Sequence, residues 1–401
     1  MRKNPKGSNV IGLLIIIVIL GITSVNNSSG SNARSGGADH GNGPKYEALA
    51  KCTNQPILNH VPSIMANYSQ ITPLGAVEAP DHVFPTDHLY FGFKDFAQGI
   101  TPAPVTNIFA PGNIVVTYIQ NTFTMHNGKV VSNDNGLYFF GCKGVYFKFD
   151  HIQTLSGQLA KAIIDRKKYS RCSVFSPAPG ELIHGCDTNI DIKLSSGTIM
   201  GTVGGNSALA AFDFGAYKIG YTDPGFIDTK FYPLFNAVCG LDYFTATVKA
   251  QLYNLLSRSV EPRCGTVGQD KAGTAQGGWF STQDIQTAMN HWDTHLALLH
   301  NNFDPTMGEL TVAGTISQPA IVFFTPTHSG LIDREPSEVT ADGKVYCYQS
   351  DPSSHDQRMS MVPVDGKYLL ELLSNKHLKI EYQSGSCTDN EAFATPTDYY
   401  R

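Results

Sequence analysis

The chain has 401 residues, a formal net charge of −5, and 41 % hydrophobic and 10 % aromatic residues, a content that excludes a disordered protein and suits two or three domains. Only 16 % of residues are charged and no extended basic tract follows residue 6, which argues against nucleic acid as the main partner. No heptad or 20–50-residue repeat is visible, so a coiled coil or a solenoid is not expected.

In chain order, Arg2, Lys3 and Lys6 precede an uncharged apolar run from Val10 to Val25. A basic flank followed by such a run reads as a secretory signal or a membrane anchor. Its sixteen residues fall between the two lengths, so residues 1–25 are expected to be either an uncleaved anchor or a cleaved signal. In both cases the rest of the chain is exported. Residues 26–49 follow as a flexible linker, rich in Ser, Gly and Asn up to residue 44.

Beyond the linker the pattern is mainly β. Short β-branched or aromatic segments at 108–119, 136–150, 190–194, 199–203 and 320–324 are bounded by turn residues and read as strands. Asn127-Gly128 between apolar flanks predicts a hairpin. Two helices are expected. One spans Thr154 to Lys168, with Leu155, Leu159, Ala162 and Ile163 on one stripe; the other spans Thr245 to Ser257, with Val248, Leu252, Leu255 and Leu256. Thr282 to Ile316 reads as a short helix leading into a hairpin. The division expected is a first β domain with peripheral helices at 50–260, a β-rich sandwich or barrel at 261–390, and a polar tail at 391–401.

Eight cysteines with no C-x-x-C pair suit disulfides in an oxidising compartment better than a zinc ribbon or a thioredoxin-like motif. Near-neighbour pairing gives Cys172–Cys186, Cys239–Cys264 and Cys347–Cys387, leaving Cys52 and Cys142. This is one connectivity out of 105.

The first domain holds an ordered series of motifs: His82-x4-Asp87, Ala110-Pro111-Gly112-x-x-Val115, Lys148-Phe149-Asp150-His151-Ile152, Ser195 to Gly204 (SSGTIMGTVG), and Ala211-Phe212-Asp213-Phe214-Gly215. The series, over about residues 75–220, resembles the lysostaphin-like (LytM-type) zinc endopeptidases of cell-wall peptide. Those enzymes carry H-x-x-x-D, an APxxGxV strand pair, YxHL, a glycine-rich turn and H-x-H. The resemblance implies an antiparallel β fold, a zinc cofactor and an envelope-peptide substrate. It places His82, Asp87 and Asp213 at the metal-ligand positions and His151 at the catalytic YxHL histidine. Three protein ligands and a water form the usual catalytic zinc arrangement, in which the metal acidifies the water.

Two departures accompany it. His82 and Asp87 are separated by four residues instead of three, and Ala211 stands where the first histidine of H-x-H belongs. In a regular strand residues i and i+5 face opposite sides, so only a bend, for which Pro85 is placed, brings His82 and Asp87 round to one ion. A set of two carboxylates and one imidazole also suits Mn²⁺. The expected function is therefore a degenerate peptidase-like module, tethered to the membrane, that binds or regulates in the cell envelope. Its partners would be envelope peptide, glycan or protein. An active zinc peptidase and a structural or adhesion surface protein are the alternatives.

Other motifs are weaker. His291-x3-His295 has zinc-helix spacing without the glutamate of H-E-x-x-H. The glycine-rich run Gly265 to Gly278 lacks P-loop spacing, and no serine or cysteine sits in a nucleophile elbow.

Overall fold

Alternation along the chain builds the first sheet. Leu89, Phe91 and Phe93 are buried on one side of their strand, while His88, Tyr90 and Gly92 between them point the other way. The computed structural model describes residues 49–401 apart from 54, 80–81, 97–100, 165–170, 176–180, 206–210, 231–234 and 352–365. The apolar run at 10–25 and the linker up to residue 48 lie outside the described residues. Among those described, no helix is long and apolar enough to cross a membrane.

Among the described residues eleven strands form the first part: β1 Tyr68–Thr72, β2 His88–Phe93, β3 Thr106–Phe109, β4 Ile114–His126, β5 Lys129–Cys142, β6 Val145–Ile152, β7 Thr154–Leu155, β8 Arg171–Phe175, β9 Glu181–Leu194, β10 Ile199–Val203 and β11 Ala211–Lys218. Eight of them make one antiparallel sheet in the order β1-β2-β11-β6-β5-β4-β9-β8, and β3-β10-β7 make a second. The expected hairpin joins β4 to β5, with Asn127 at φ 47° and Gly128 at φ 77°, the left-handed pair that a type I′ turn needs.

The first helix starts later than its stripe suggests, its expected end at 165–168 lying outside the described residues, and the second is shorter than expected. α1 is Gly157–Ile164, because Thr154 and Leu155 pair with β10 as β7 instead. α2 is Ala246–Tyr253, and its Val248 and Leu252 join the core on the apolar side of the large sheet. There Phe214 meets Phe244 at 5.8 Å between ring centres and Phe147 meets Tyr243 at 5.3 Å.

The remaining chain opens with α3, Ile285–Asn290, set just after β12, Gly277–Phe280, as the short helix expected there. β13 His295–His300, β14 Gly308–Val312, β15 Ala320–Phe324, β16 Tyr346–Gln349, β17 Lys367–Ser374, β18 His377–Gln383 and β19 Thr397–Tyr400 complete an eight-stranded sheet in the order β15-β14-β13-β12-β19-β18-β17-β16. Its two edges return to one another. The Asp351 amide donates to the Phe323 carbonyl at 2.9 Å, and the Phe324 and Tyr348 rings are 4.9 Å apart. Of the two second-domain architectures expected, this is a nearly closed barrel, filled by Trp279, Phe324, Tyr348, Tyr368 and Tyr399.

The last residues correct the sequence reading. The segment taken as a polar tail supplies β19, which pairs with both β12 and β18. Tyr399 fills the barrel and the Arg401 guanidinium lies 4.1 Å from the Trp279 ring, donating to the carbonyls of Gln276 and Thr274. Burial of alternate residues outweighs the polar composition.

Four disulfides, Cys52–Cys142, Cys172–Cys186, Cys239–Cys264 and Cys347–Cys387, leave no free cysteine. The near-neighbour pairing is the one the fold adopts. Such a chain belongs in an oxidising compartment.

Candidate functional site

The polar face of the large sheet carries the site. On it Asp213 of β11 lies opposite Tyr90 of β2 and Asp150 of β6, and Gly215 lies opposite His88 and Lys148. Two glycines make room in this grid. A Cβ on Gly215 would run into the Tyr217 hydroxyl, and one on Gly136 would run into the Asp150 carboxylate.

Charged groups fill the space. The His88 Nδ1 donates to Asp87 Oδ1 at 2.7 Å, and its Nε2 donates to Asp213 Oδ2 at 3.2 Å. The His151 Nε2 donates to the same oxygen at 3.1 Å, and its Nδ1 to Asp134 Oδ2 at 3.0 Å. Lys148 pairs with Asp150 alongside. The side chains of His88 and His151 are 13 % exposed and that of Asp213 is 6 % exposed.

These contacts decide the protonation states. Burial alone would lower the pKa of His88, but the Asp213 charge and the bonds to both carboxylates outweigh it and raise it to about 10. The same contest, with Asp213 and Asp134 opposing burial, holds His151 well above its ordinary value. For Asp213, burial disfavours the carboxylate, yet the two imidazoliums hold its pKa far below the usual range. Asp87 is lowered as well, against its burial, chiefly by His88. These shifts favour charged His88, His151, Asp87 and Asp213 at neutral pH.

A break in the strand delivers His151. Between the pairs Asn135–Ile152 and Leu137–Phe149 the register slips by one residue, and His151 takes φ 64°. A left-handed residue with a side chain costs about 1–2 kcal/mol, so the surroundings must hold it. The triplet Asn133-Asp134-Asn135 does so from β5. The Asn135 amide donates to the Ile152 carbonyl at 2.7 Å, and the Asn133 amide to the Gln153 carbonyl at 2.8 Å. Asp134 between them takes the imidazole. Asn121, buried beneath, donates to the side-chain oxygens of both asparagines.

Of the residues singled out from sequence, Asp87, Asp213 and His151 enter one network. The group that joins Asp87 to Asp213 is His88, which the motif comparison passed over. Its signal was present: it opens the alternation H-L-Y-F-G-F and follows Asp87 directly. His82 lies at the rim, its ring 6.1 Å from that of His88 and 5.8 Å from that of Tyr90. Burial, reinforced by the His88 charge, lowers its pKa to about 4, so it is neutral at pH 7. The ion pairs of the cluster run through His88 and His151 and do not include His82. Ala211 lies one row along, opposite Gly92.

The fit to a metal ion follows from the donors. In their charged form both rings turn each nitrogen to a carboxylate, Nδ1 to Asp87 or Asp134 and Nε2 to Asp213, and only the neutral form of either ring leaves its Nε2 a lone pair for a metal. Among the described residues no group of three or more His, Cys, Asp or Glu side chains is arranged to hold a metal.

The weaker motifs take structural places. His291 follows the end of α3, while His295 lies on β13 and stacks on Phe84 at 4.4 Å, so the two do not share a helix face. The glycine-rich run leads into β12.

Comparison with protein-family models, with curated proteins and with solved structures finds no match to this chain.

Proposed function

We propose that the chain is an exported, membrane-tethered module of the cell envelope whose peptidase-like site has become a closed ion-pair cluster, and that it binds envelope peptide, glycan or protein without cleaving it. The observation that carries this reading is the single oxygen, Asp213 Oδ2, shared by the imidazoles of His88 and His151. With Asp87 and Asp134 it balances the two imidazolium charges, and its Oδ2 is taken up by both rings.

The strand register supports a revised alignment of the lysostaphin-like motif. His88-x3-Gly92 has the family's H-x-x-x-D spacing, and Gly92 stands opposite Ala211, two residues before Asp213. On that alignment the three ligand positions hold His88, Gly92 and Asp213, and the first histidine of H-x-H is Ala211. One of the four groups would be retained.

A second reading, a metal-dependent peptidase, has one observation in its favour. Both Nδ1 atoms are braced by carboxylates, Asp87 and Asp134, as imidazoles that ligate metals commonly are.

Zinc content and peptide cleavage decide between them. The purified chain is expected to retain no zinc after gel filtration, to cleave no wall peptide, and to sediment with wall fragments. One zinc per chain, with a chelator-sensitive cleavage lost in His88→Ala, would overturn the first reading. A rebuilt variant, Gly92→Asp with Ala211→His and Asp213→His, is expected to gain zinc. A Cβ at residue 92 meets its nearest neighbour at 3.5 Å, an ordinary contact.

A further inference from the structure

The arm between β1 and β2, described at residues 73–79 and 82–87, has two working sides. Its legs pair with each other. The Gly75 amide donates to the Thr86 carbonyl at 2.7 Å, the Thr86 amide to the Ala76 carbonyl at 3.0 Å, and Glu78 and His82 exchange both backbone bonds. One side presents His82 to the His88 and Tyr90 rings and leads through Thr86 into Asp87 of the ion-pair cluster.

The other side sits on the barrel. Val77 packs with Ala297 and Leu299 of β13, and Ala79 and Val83 pack with Ala313, Ile321 and Phe323 at β14–β15. Phe84 stacks on His295 at 4.4 Å and meets Phe280 at 4.8 Å. Two polar contacts fix the seat: the Thr311 hydroxyl donates to the Val83 carbonyl at 2.7 Å, and the Asn302 amide to the Gly75 carbonyl at 2.7 Å.

This seat explains an oddity of the barrel. A barrel wall facing water alternates apolar and polar residues, yet β14 and β15 are buried at every position. Leu310, Val312, Val322 and Phe324 fill the interior, while Thr311, Ile321 and Phe323 face the arm. The outer face of the wall is built to hold something, and the arm is what it holds.

We propose that the barrel is a latch for the first-domain cluster: seated on the wall of β12–β15, the arm keeps the cluster closed, and a partner that draws the barrel away releases the arm and exposes His82, His88 and His151. The latch gives the C-terminal domain a role in control of access. It rests on the reading of the cluster as the site, but its test does not depend on what the cluster binds.

Carbethoxylation of histidines in the full chain, read by peptide mass spectrometry, provides that test. His291 and His328, with side chains 63 % and 74 % exposed, serve as internal standards. His82 is the main probe, since it is neutral at pH 7 and its reaction reports access alone. Phe84→Ala and Thr311→Val are expected to raise its modification relative to His328, the former by about ten-fold or more, because an aromatic anchor of the seat is lost. Leu378→Ala weakens the barrel core at β18 without touching the seat and is expected to leave His82 protected. No rise in the seat variants, or an equal rise in Leu378→Ala, would overturn the latch. Zinc and cleavage assays test the cluster separately, so either idea can fail alone.

Discussion

Asp213 shows why a buried charge must be judged by its partners. Its carboxylate is held ionised by two imidazoliums, and removal of that charge leaves both of them buried without their shared partner. Asp213→Asn is therefore expected to destabilise the fold by about 3–5 kcal/mol in urea titration, the cost typical of breaking a buried pair from one side. The pH dependence has a definite sign. His88 and His151 have folded pKa values above their unfolded ones, so their contribution is complete below pH ~6.5 and declines as pH rises, for His88 until about 10. Asp87 and Asp213 are depressed, so theirs is present above pH ~4 and lost in acid. His82, lowered to about 4, adds a second acid-side loss between ~6.5 and 4, where only the unfolded chain takes the proton. Thermal melts between pH 7 and 9 are expected to fall with pH, by up to about 1.4 kcal/mol per unit for each histidine, and to fall less steeply in His88→Gln. A flat profile in the native chain would contradict the ion pairs.

At the scale of the element, the bulge at His151 is held by its neighbours on β5. Asn135→Ala strips the Ile152 carbonyl of a buried donor and is expected to cost about 1–3 kcal/mol. It should also loosen the His151–Asp213 contact, visible as a fall in the His151 pKa by NMR. Strand content and the β4–β5 hairpin were legible in the sequence because alternation and Asn-Gly turns are local signals. The short helix leading into a hairpin at 282–316 was legible for the same reason. The bulge was not, since it depends on asparagines 16–18 residues upstream gripping carbonyls across the sheet. His88 escaped because the nearby His82-x4-Asp87 pattern drew the motif comparison away from it. Tyr399 and Arg401 escaped because their burial depends on strands far away in sequence.

Across the whole molecule, covalent links and the seated arm bind distant parts of the chain. Cys52–Cys142 spans 90 residues and Cys172–Cys186 spans 14. Loop-closure entropy gives about 4.6 and about 3 kcal/mol for these lengths. The double variant Cys52→Ser/Cys142→Ser is accordingly expected to lose more stability than Cys172→Ser/Cys186→Ser, by about 1.5 kcal/mol in denaturant titration. The same tertiary scale accounts for the barrel wall: β14 and β15 are buried at every position because the arm between β1 and β2 lies against them.

The central claim is that His88 and His151 are imidazoliums bound to one carboxylate oxygen. Nitrogen NMR of the histidine rings in the full chain at pH 8, before and after addition of zinc, tests it most directly. The account predicts that both nitrogens of His88 and of His151 are protonated, that zinc leaves them unchanged, and that His88 loses its proton only near pH 10. A deprotonated Nε2 on either ring at pH 8, shifting on addition of zinc, would contradict it.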